Sequence, residues 1–491
     1  MSVEEKTIVG KLKEIGSHSI IYGIGIILQG VLGYILIPLY TKEMDPGLYG
    51  TLSLLTLLGT MAGSVFFLGA SSALSRSYYD YEKDSDRCKV VGTTLLITLC
   101  GAVLQCLIGI LFSKEISLMI VGTEKYSQEV IIVLFSSAAT FINTLFFSVL
   151  RFKRKSIQVV VINLVSLFIS TAFIVYFIVY MKYGVMGVVL GTFIGQLLIL
   201  IMLVICCYEY WDSRFMTNEV AIQLKFGIPT ILIGFSYYGL NSVDRFVINK
   251  YGSLDDVGIY SLGYKFGIII YSIFITPFSQ IWAPMRMEYR NDKNAKEFFT
   301  CVVTYYFIIG IAITVPASVY AYELVSFMSN RIEYVAAYHV VAPIMLAHLI
   351  YGAINILDSG IIFERKIMYD AYILTGIVLL SYILNMLMVP HFGYVASAYV
   401  LLFCCGCCVF IVWKVSNRFY KIEIEHIRIF ATVSLGIIIV WATQYIVVES
   451  KFLMILYKGI TILFFYLLVY IKILKENERL LLKSKLVALM K

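Results

Sequence analysis

Lys265 lies inside an apolar run from residue 258 to 284, about seven residues from its start, or roughly 10 Å along a helix at 1.5 Å per residue. An ionised group at the centre of a lone membrane helix costs roughly 2.5–3.5 kcal/mol, so one that persists faces a cavity or a partner. At 100° per residue, Ser261, Ser272, Thr276 and Ser279 fall within about 40° of Lys265. They draw a polar stripe that ends near Arg286 and Arg290. Two readings fit: the lining of an aqueous cavity that holds a fixed positive charge, or a lysine that snorkels to the outer surface.

Asp244 and Arg245 end the run 224–248. Arg245 shares a helix face with Asn241 and Tyr238, with Gly234 and Gly227 further along it, and both cavity lining and interfacial anchoring fit. Adjacent side chains point about 100° apart, so Asp244 and Arg245 are expected to find partners on neighbouring helices rather than in each other. Pro229, in "GIPT", removes a backbone donor and is a candidate bend. Arg151 ends the run 127–149 on the face of Ser148, Thr144, Thr140 and Ser137; the Lys153, Arg154 and Lys155 that follow are also the ordinary mark of a cytoplasmic helix end. Arg76 and Asp80 are spaced for a local ion pair, with a substrate contact as the alternative. His348, mid-run with Tyr351, Gly352 and Asn355 on its face, suits proton coupling or a satisfied structural role.

No Gly-rich phosphate loop, catalytic triad or metal-ligand set occurs at usable spacing, so no catalytic residue, metal or cofactor is expected. "CCGCC" at 404–408 sits in an apolar run without a flanking His or acid, and reads as small-residue packing. None of the ten cysteines falls in an expected outer loop, which argues against a disulfide framework.

These residues need a membrane to position them. Of 491 residues 60% are hydrophobic and 14% charged, and mean hydropathy is +0.87. A water-soluble globule has too little interior for so much apolar surface. Polar breaks divide the chain into fourteen expected spans: 18–39, 48–69, 90–112, 127–149, 157–181, 184–207, 224–248, 258–284, 298–320, 335–357, 369–389, 393–413, 427–447 and 453–472. The second is expected to continue as a helix to about Tyr79. With no water in the bilayer core the backbone must satisfy itself, so these are helices and the fold class is an all-α integral membrane protein. Connectors this short exclude a large extramembrane domain, and with it nucleic-acid binding and most soluble-enzyme readings. The net charge of +8 is topological: the N-terminus and every second connector after it hold 29 Lys and Arg, and the alternate set holds 8. Both termini are therefore expected in the cytoplasm. Residues 1–14 show no secretory signal.

"PLYTKEMDPGLYGTLSLL" after the first span matches "FVINKYGSLDDVGIYSLGYK" after the seventh with Gly50 on Gly258, an offset of 208. Tyr126 and Tyr334 differ by 208, and "YGVMGVV" from Tyr183 aligns with "FGYVASA" from Phe392 at 209. Six spans per repeat give two parallel halves with an axis along the membrane normal. The expected domains are two six-helix lobes, 1–210 and 211–420, two additional helices at 421–474, and a basic amphipathic tail at 475–491 on the inner leaflet.

"IPLYTKEMDPGLYGTLSLL", after a helix reading "YGIGIILQGVLGYIL", resembles the opening of Wzx-type polysaccharide repeat-unit flippases of the multidrug/oligosaccharidyl-lipid/polysaccharide exporter superfamily. "GIPTILIGFSYYGLNSVDRFVINKYGSLDDVGIYSLGYK" resembles the start of that family's second half, and the likeness covers roughly residues 15–475. It implies a bacterial cytoplasmic-membrane transporter that moves undecaprenyl-diphosphate-linked oligosaccharides to the outer leaflet by alternating access, for O-antigen, capsule or exopolysaccharide. By that analogy Lys265 and Arg245 contact the diphosphate, Arg76 and Arg151 serve the inner mouth, and Asp244 and His348 are candidates for coupling. The implied partners are the glycolipid, membrane lipid, a polysaccharide polymerase and glycosyltransferases.

The nearest rival is a multidrug cation antiporter of the same superfamily, which needs acids within its spans; Asp244 is the only one placed firmly there. A peptidoglycan-precursor flippase is a variant of the first reading. A membrane glycosyltransferase would need catalytic acids beside a larger outer loop.

Overall fold

The structure, a computed structural model, describes residues 33–292, 294–445 and 450–480. Among them every regular element is helical. In chain order the α-helices are α1 (Ile37–Glu43), α2 (Pro46–Phe66), α3 (Ala70–Asp80), α4 (Asp84–Leu111), α5 (Ser113–Val121), α6 (Ser127–Phe152), α7 (Ser156–Val175), α8 (Val185–Cys206), α9 (Thr217–Leu240), α10 (Val243–Tyr251), α11 (Leu254–Gly267), α12 (Thr276–Glu288), α13 (Ala295–Val319), α14 (Ala321–Met328), α15 (Tyr338–Gly352), α16 (Ile354–Leu357), α17 (Ser359–Phe363), α18 (Met368–Phe392), α19 (Tyr394–Ser416), α20 (His426–Tyr445) and α21 (Lys451–Leu468). They supply thirteen stretches long and apolar enough to cross a membrane among the described residues, matching expected spans two to fourteen. The first expected span lies largely outside the described residues, as does most of the basic tail. The chain is an all-α, multi-pass membrane protein.

Local chemistry sets the helix starts. In "MDPG" the Asp45 carboxylate caps α2 by accepting from Leu48 N at 2.8 Å, and Pro46 takes the first helical position, where no donor is needed. Ser253 and Asp256 exchange hydrogen bonds across the first turn of α11, Ser253 N to Asp256 Oδ2 at 3.0 Å and Asp256 N to Ser253 Oγ at 3.1 Å. The stretches these caps open, Pro46–Asp80 and Leu254–Glu288, are both 35 residues long. Both are interrupted. The first breaks at Leu68 and Gly69, with φ of 54° and 62°; a Cβ at Gly69 would collide with the Gly227 carbonyl and the Thr230 hydroxyl, so the chains meet backbone to backbone. The second leaves α-helix at Gly267, makes a π-helical turn over Tyr271–Ile275 and resumes as α12.

The seventh span departs from the sequence reading. α9 begins at Thr217 and ends at Leu240, continuing helical through Pro229, and a break at Asn241–Ser242 precedes α10. The Asn241 side chain donates to Tyr237 O at 2.7 Å, which satisfies a carbonyl at the helix end. Asp244 and Arg245 therefore open a separate short helix instead of ending the span.

The chain divides into two compact units. One contains Met1–Ser261, Ser329–Tyr334 and Leu374–Ser397; the other contains Leu262–Met328, Val335–Ile373 and Ala398–Lys491. In the first, a core of Leu95, Ile142, Phe146, Leu150, Ile199 and Leu203 joins α4, α6 and α8. In the second, Phe299, Tyr306, Ile311, Leu349, Phe465 and Val469 pack α13 against α15 and the last span. Lys458, placed within a span by the sequence, is held there by Glu323, with Nζ 2.6 and 2.8 Å from its carboxylate oxygens. Arg428 joins the ends of the last two spans by pairing with Glu425 and Glu478, each at 2.7 Å.

Candidate functional site

In the first unit, two hydroxyl ladders run along packed helices. On α2, Thr56 and Thr60 donate to the carbonyls one turn back; on α6, Thr140, Thr144 and Ser148 do the same. Each hydroxyl thus spends its proton internally and offers lone pairs outward. Thr56 and Thr140 are exposed, and Thr60 and Thr144 half-buried. Gly59 and Gly63 bring the helices together against Val133 and Phe141. At one end Ser71 Oγ and Ser148 Oγ lie 3.2 Å apart, and Arg151 Nη2 donates to Ser148 Oγ at 3.0 Å. Arg151 and Arg76 are both exposed there. Arg76 lies over the Phe226 ring, 4.9 Å from its centroid, and forms no ion pair with Asp80 among the described residues. The aromatic face takes the guanidinium that the sequence reading offered to Asp80.

The other end of this unit is closed. Arg245 is 4% exposed; Nη1 donates to Asn241 O at 2.7 Å, Nε donates to Ser261 Oγ at 3.2 Å, and the guanidinium lies over Tyr260. Contrary to the sequence expectation, Asp244 and Arg245 do pair, at 3.5 Å. Asp244 stands in the first turn of α10, where its carboxylate folds back to accept Arg245 N at 2.8 Å, and the long Arg245 side chain can follow it. Tyr260 donates to the second carboxylate oxygen at 2.5 Å. Replacing Arg245 with Met would leave Asp244 buried without its counter-charge, an expected cost of about 3–5 kcal/mol. Thermal unfolding of the purified variant checks this; unchanged stability would mean that Asp244 does not need Arg245 as its counter-charge.

Ser261, expected in the Lys265 stripe, is buried and donates to Ser53 Oγ at 2.8 Å. Around this bond the contacts are reciprocal. A Cβ on Gly50 would strike Leu254 O and Gly258 N, and one on Gly258 would strike Pro46 O and Gly50 N. Further contacts repeat the exchange: Asn249 Nδ2 donates to Ile120 O at 2.8 Å, while Asn330 N donates to Thr41 Oγ1 at 3.2 Å and its Nδ2 to Pro38 O at 2.7 Å. Tyr334 OH donates to Asp45 O at 2.9 Å. Connectors expected on one side of the membrane thus interlock within this unit. Of the other expected lining groups here, Tyr238 is half-buried on α9 with its ring edge-on to Tyr237.

In the second unit Lys265 is half-buried. Gly263 and Gly267 press α11 onto Ala337, Val340, Val341 and Ile344, at the start and along the length of α15. Lys265, two residues from each, projects about 200° away around the helix. Tyr264 OH meets His348 Nε2 at 3.0 Å and Tyr271 stands edge-on to the same ring, so His348 is a buried, hydrogen-bonded residue. Ser272, Thr276 and Ser279 are each half-buried, and Ser279 donates to Thr276 O at 2.9 Å. The π turn rotates them relative to α11, because its wider turn does not keep 100° per residue. A continuous stripe from Lys265 to Ser279 is therefore not preserved.

Glu219 and Asp358, outside the expected span limits, lie inside Thr217–Leu240 and Ile332–Phe363, and Asp370, at the edge of the expected span 369–389, lies inside Met368–Phe392. Each sits near a helix start or end, where hydropathy alone sets boundaries poorly. Asp358 accepts from Arg286 Nη1 at 2.9 Å, and the same nitrogen donates to Asn355 O at 3.0 Å. All ten cysteines are free, and no group of three or more His, Cys, Asp or Glu among the described residues could hold a metal.

The arrangement of helices is similar to that of solved membrane transporters. A solved structure titled lipid II flippase MurJ, inward closed conformation, matches with a TM-score of 0.74 at 16% identity, over 92% of this chain and 99% of that one. An inward-facing multidrug resistance MATE family transporter of the MOP superfamily matches with a TM-score of 0.64 at 14% identity, over 84% and 98%. The bent form of a Vibrio cholerae MATE transporter gives 0.55 at 13%, over 83% and 98%. No curated protein matches the chain in sequence. Residues 15–290, more than half of the chain, match the family described as polysaccharide biosynthesis protein, and the chain belongs to that family.

Proposed function

We propose that this protein is a flippase that moves undecaprenyl-diphosphate-linked oligosaccharide repeat units across the bacterial cytoplasmic membrane by alternating access. The observation that carries the reading is the pair of hydroxyl ladders ending in exposed Arg151 and Arg76, in a chain of the polysaccharide biosynthesis family. Hydroxyl lone pairs suit a glycan, and guanidinium groups offer fixed charge and paired donors to phosphate oxygens. Arg76 and Arg151 are the proposed contacts for the diphosphate, with Lys265 and Arg245 as further candidates, Arg245 only when its bonds to Asn241 and Ser261 open. With the cytoplasm negative, each negative charge carried outward gains about 2.3 kcal/mol per 100 mV.

The recurrence of span bounds at 208, together with the reciprocal Gly50 and Gly258 contacts, supports two parallel six-helix repeats followed by two further helices. Isologous contacts of this kind are what a two-fold axis produces. The Lys and Arg bias of the connectors supports a cytoplasmic position for both termini, with the interlocked connectors on the outer face. A polymerase and glycosyltransferases are the proposed partners. The cation-antiporter alternative gains Asp358 and Asp370 as acids inside spans, but Arg286 already pairs with Asp358. Purified protein in vesicles should move lipid-linked oligosaccharide to the opposite leaflet with its mass unchanged. A changed mass would make it an enzyme, and failure to move this lipid while exchanging organic cations would favour the antiporter.

A further inference from the structure

α3 carries its exposed groups on one face. Ser72, Ser75, Arg76, Tyr79 and Asp80 are exposed, at the i, i+3, i+4, i+7 and i+8 positions of a single helix stripe, while the opposite face buries Ala73, Leu74 and Tyr78. A stripe that met acyl chains would be apolar. Four of these five residues carry hydroxyl or charged groups, so the face does not stand in hydrocarbon. Tyr79 is the aromatic member of the stripe, with 64% of its surface exposed.

Fixed neighbours hold this ring. Tyr78 is buried with the Arg87 guanidinium over its own ring, and it stands edge-on to Tyr79 with centroids 5.4 Å apart. Phe152, at the end of α6, stands edge-on to Tyr79 at 5.6 Å. Neither neighbour stacks flat against the ring, which stays largely open. Phe152 ties it to the helix end that carries Arg151. Arg76 is three residues back on α3, about 4.5 Å along the helix axis. Tyr79 is thus anchored beside the two exposed arginines proposed for the diphosphate.

We infer that Tyr79 is a stacking platform for the sugar unit next to the diphosphate, an inference that rests on the flippase reading above. A pyranose presents C–H groups on its faces and hydroxyls around its rim. Those C–H groups match the negative face of an aromatic ring, and the oxygens of Asp80 beside it accept from rim hydroxyls. A diphosphate at Arg76 and Arg151 leaves the first sugar one bridging oxygen away, within reach of a ring one helical turn further on. Along α3 the cation precedes the ring, as the phosphate precedes the sugar in the glycolipid.

Equilibrium binding to the purified protein in detergent compares two probes: lipid-linked oligosaccharide extracted from cells that lack the protein, and undecaprenyl diphosphate without sugar. The wild type should prefer the glycolipid. Tyr79→Ala should reduce that preference about three- to tenfold, the size expected of one aromatic contact, whereas Tyr79→Trp, with a larger ring face, should keep it. Because the side chain is exposed, thermal unfolding of both variants should stay close to that of the wild type. No preference in the wild type, an unchanged one in Tyr79→Ala, or an equal loss of both probes, as an interfacial anchor would give, would overturn the sugar contact and leave the flippase reading standing. A wild type that binds neither probe would overturn that reading and this inference with it.

Discussion

A disulfide formed between Ser53→Cys and Ser261→Cys, in a background cleared of the ten native cysteines, should stop glycolipid transport, and a reductant should restore it. The two hydroxyl oxygens lie 2.8 Å apart, a close approach that suits a disulfide, which needs its Cα atoms about 4.4–6.8 Å apart. The bond would join α2 to α11 beside the backbone contacts at Gly50 and Gly258. If the protein works by opening this face, a covalent tie removes the open state from the ensemble, and loss of at least about 100-fold follows because that state is required once per cycle. Each single cysteine variant should transport nearly as the wild type does, since losing one hydroxyl-to-hydroxyl bond costs only about 0.5–1.5 kcal/mol. Vesicle flux measured with oxidant and then with reductant checks the expectation. Full flux through the cross-linked protein would mean that the contact does not open during transport.

Lys265→Met should reduce flux by about 10- to 150-fold with expression and stability little changed, and Lys265→Arg should keep a substantial part. The range corresponds to one charge-assisted hydrogen bond, about 1.5–3 kcal/mol. Methionine keeps the length and removes the desolvation cost of a charge, so the folded protein should tolerate it. The geometry motivates the test: the glycines on either side press α11 onto α15, which sends the Lys265 side chain the other way. Flux equal to wild type at saturating and limiting glycolipid would remove Lys265 from the proposed binding site and leave Arg151 and Arg76 as the cations proposed to receive the headgroup.

The α6 hydroxyl ladder was readable in the sequence because it lies on an unbroken helix, whereas Thr56 and Thr60 on α2 emerged only from the structure. Thr140, Thr144, Ser148 and Arg151 keep their phase along α6, and the structure shows the first two open or half-open to the outside and Arg151 bonded to Ser148. The Lys265 stripe was not readable in the same way. The π turn at Tyr271–Ile275 shifts Ser272, Thr276 and Ser279, and no run of apolar residues announces such a turn. Glu219 was missed because hydropathy started the seventh span after it, whereas helix α9 begins at Thr217.

By itself the sequence determined the solvent, the class and the element order: 60% hydrophobic residues leave only a bilayer as surroundings, and polar breaks then mark helices at nearly their observed limits. That information is local, since a transfer free energy depends on residue type and a helix face on spacing. What only the tertiary structure decided is which polar groups remain available. Arg245 and Arg151 look alike as helix-end arginines, yet one is closed in by Asn241, Asp244 and Ser261 while the other is exposed. The difference comes from neighbours up to 208 positions away, as with Ser53 and Ser261, and packing at that range leaves no mark on the local pattern of either segment.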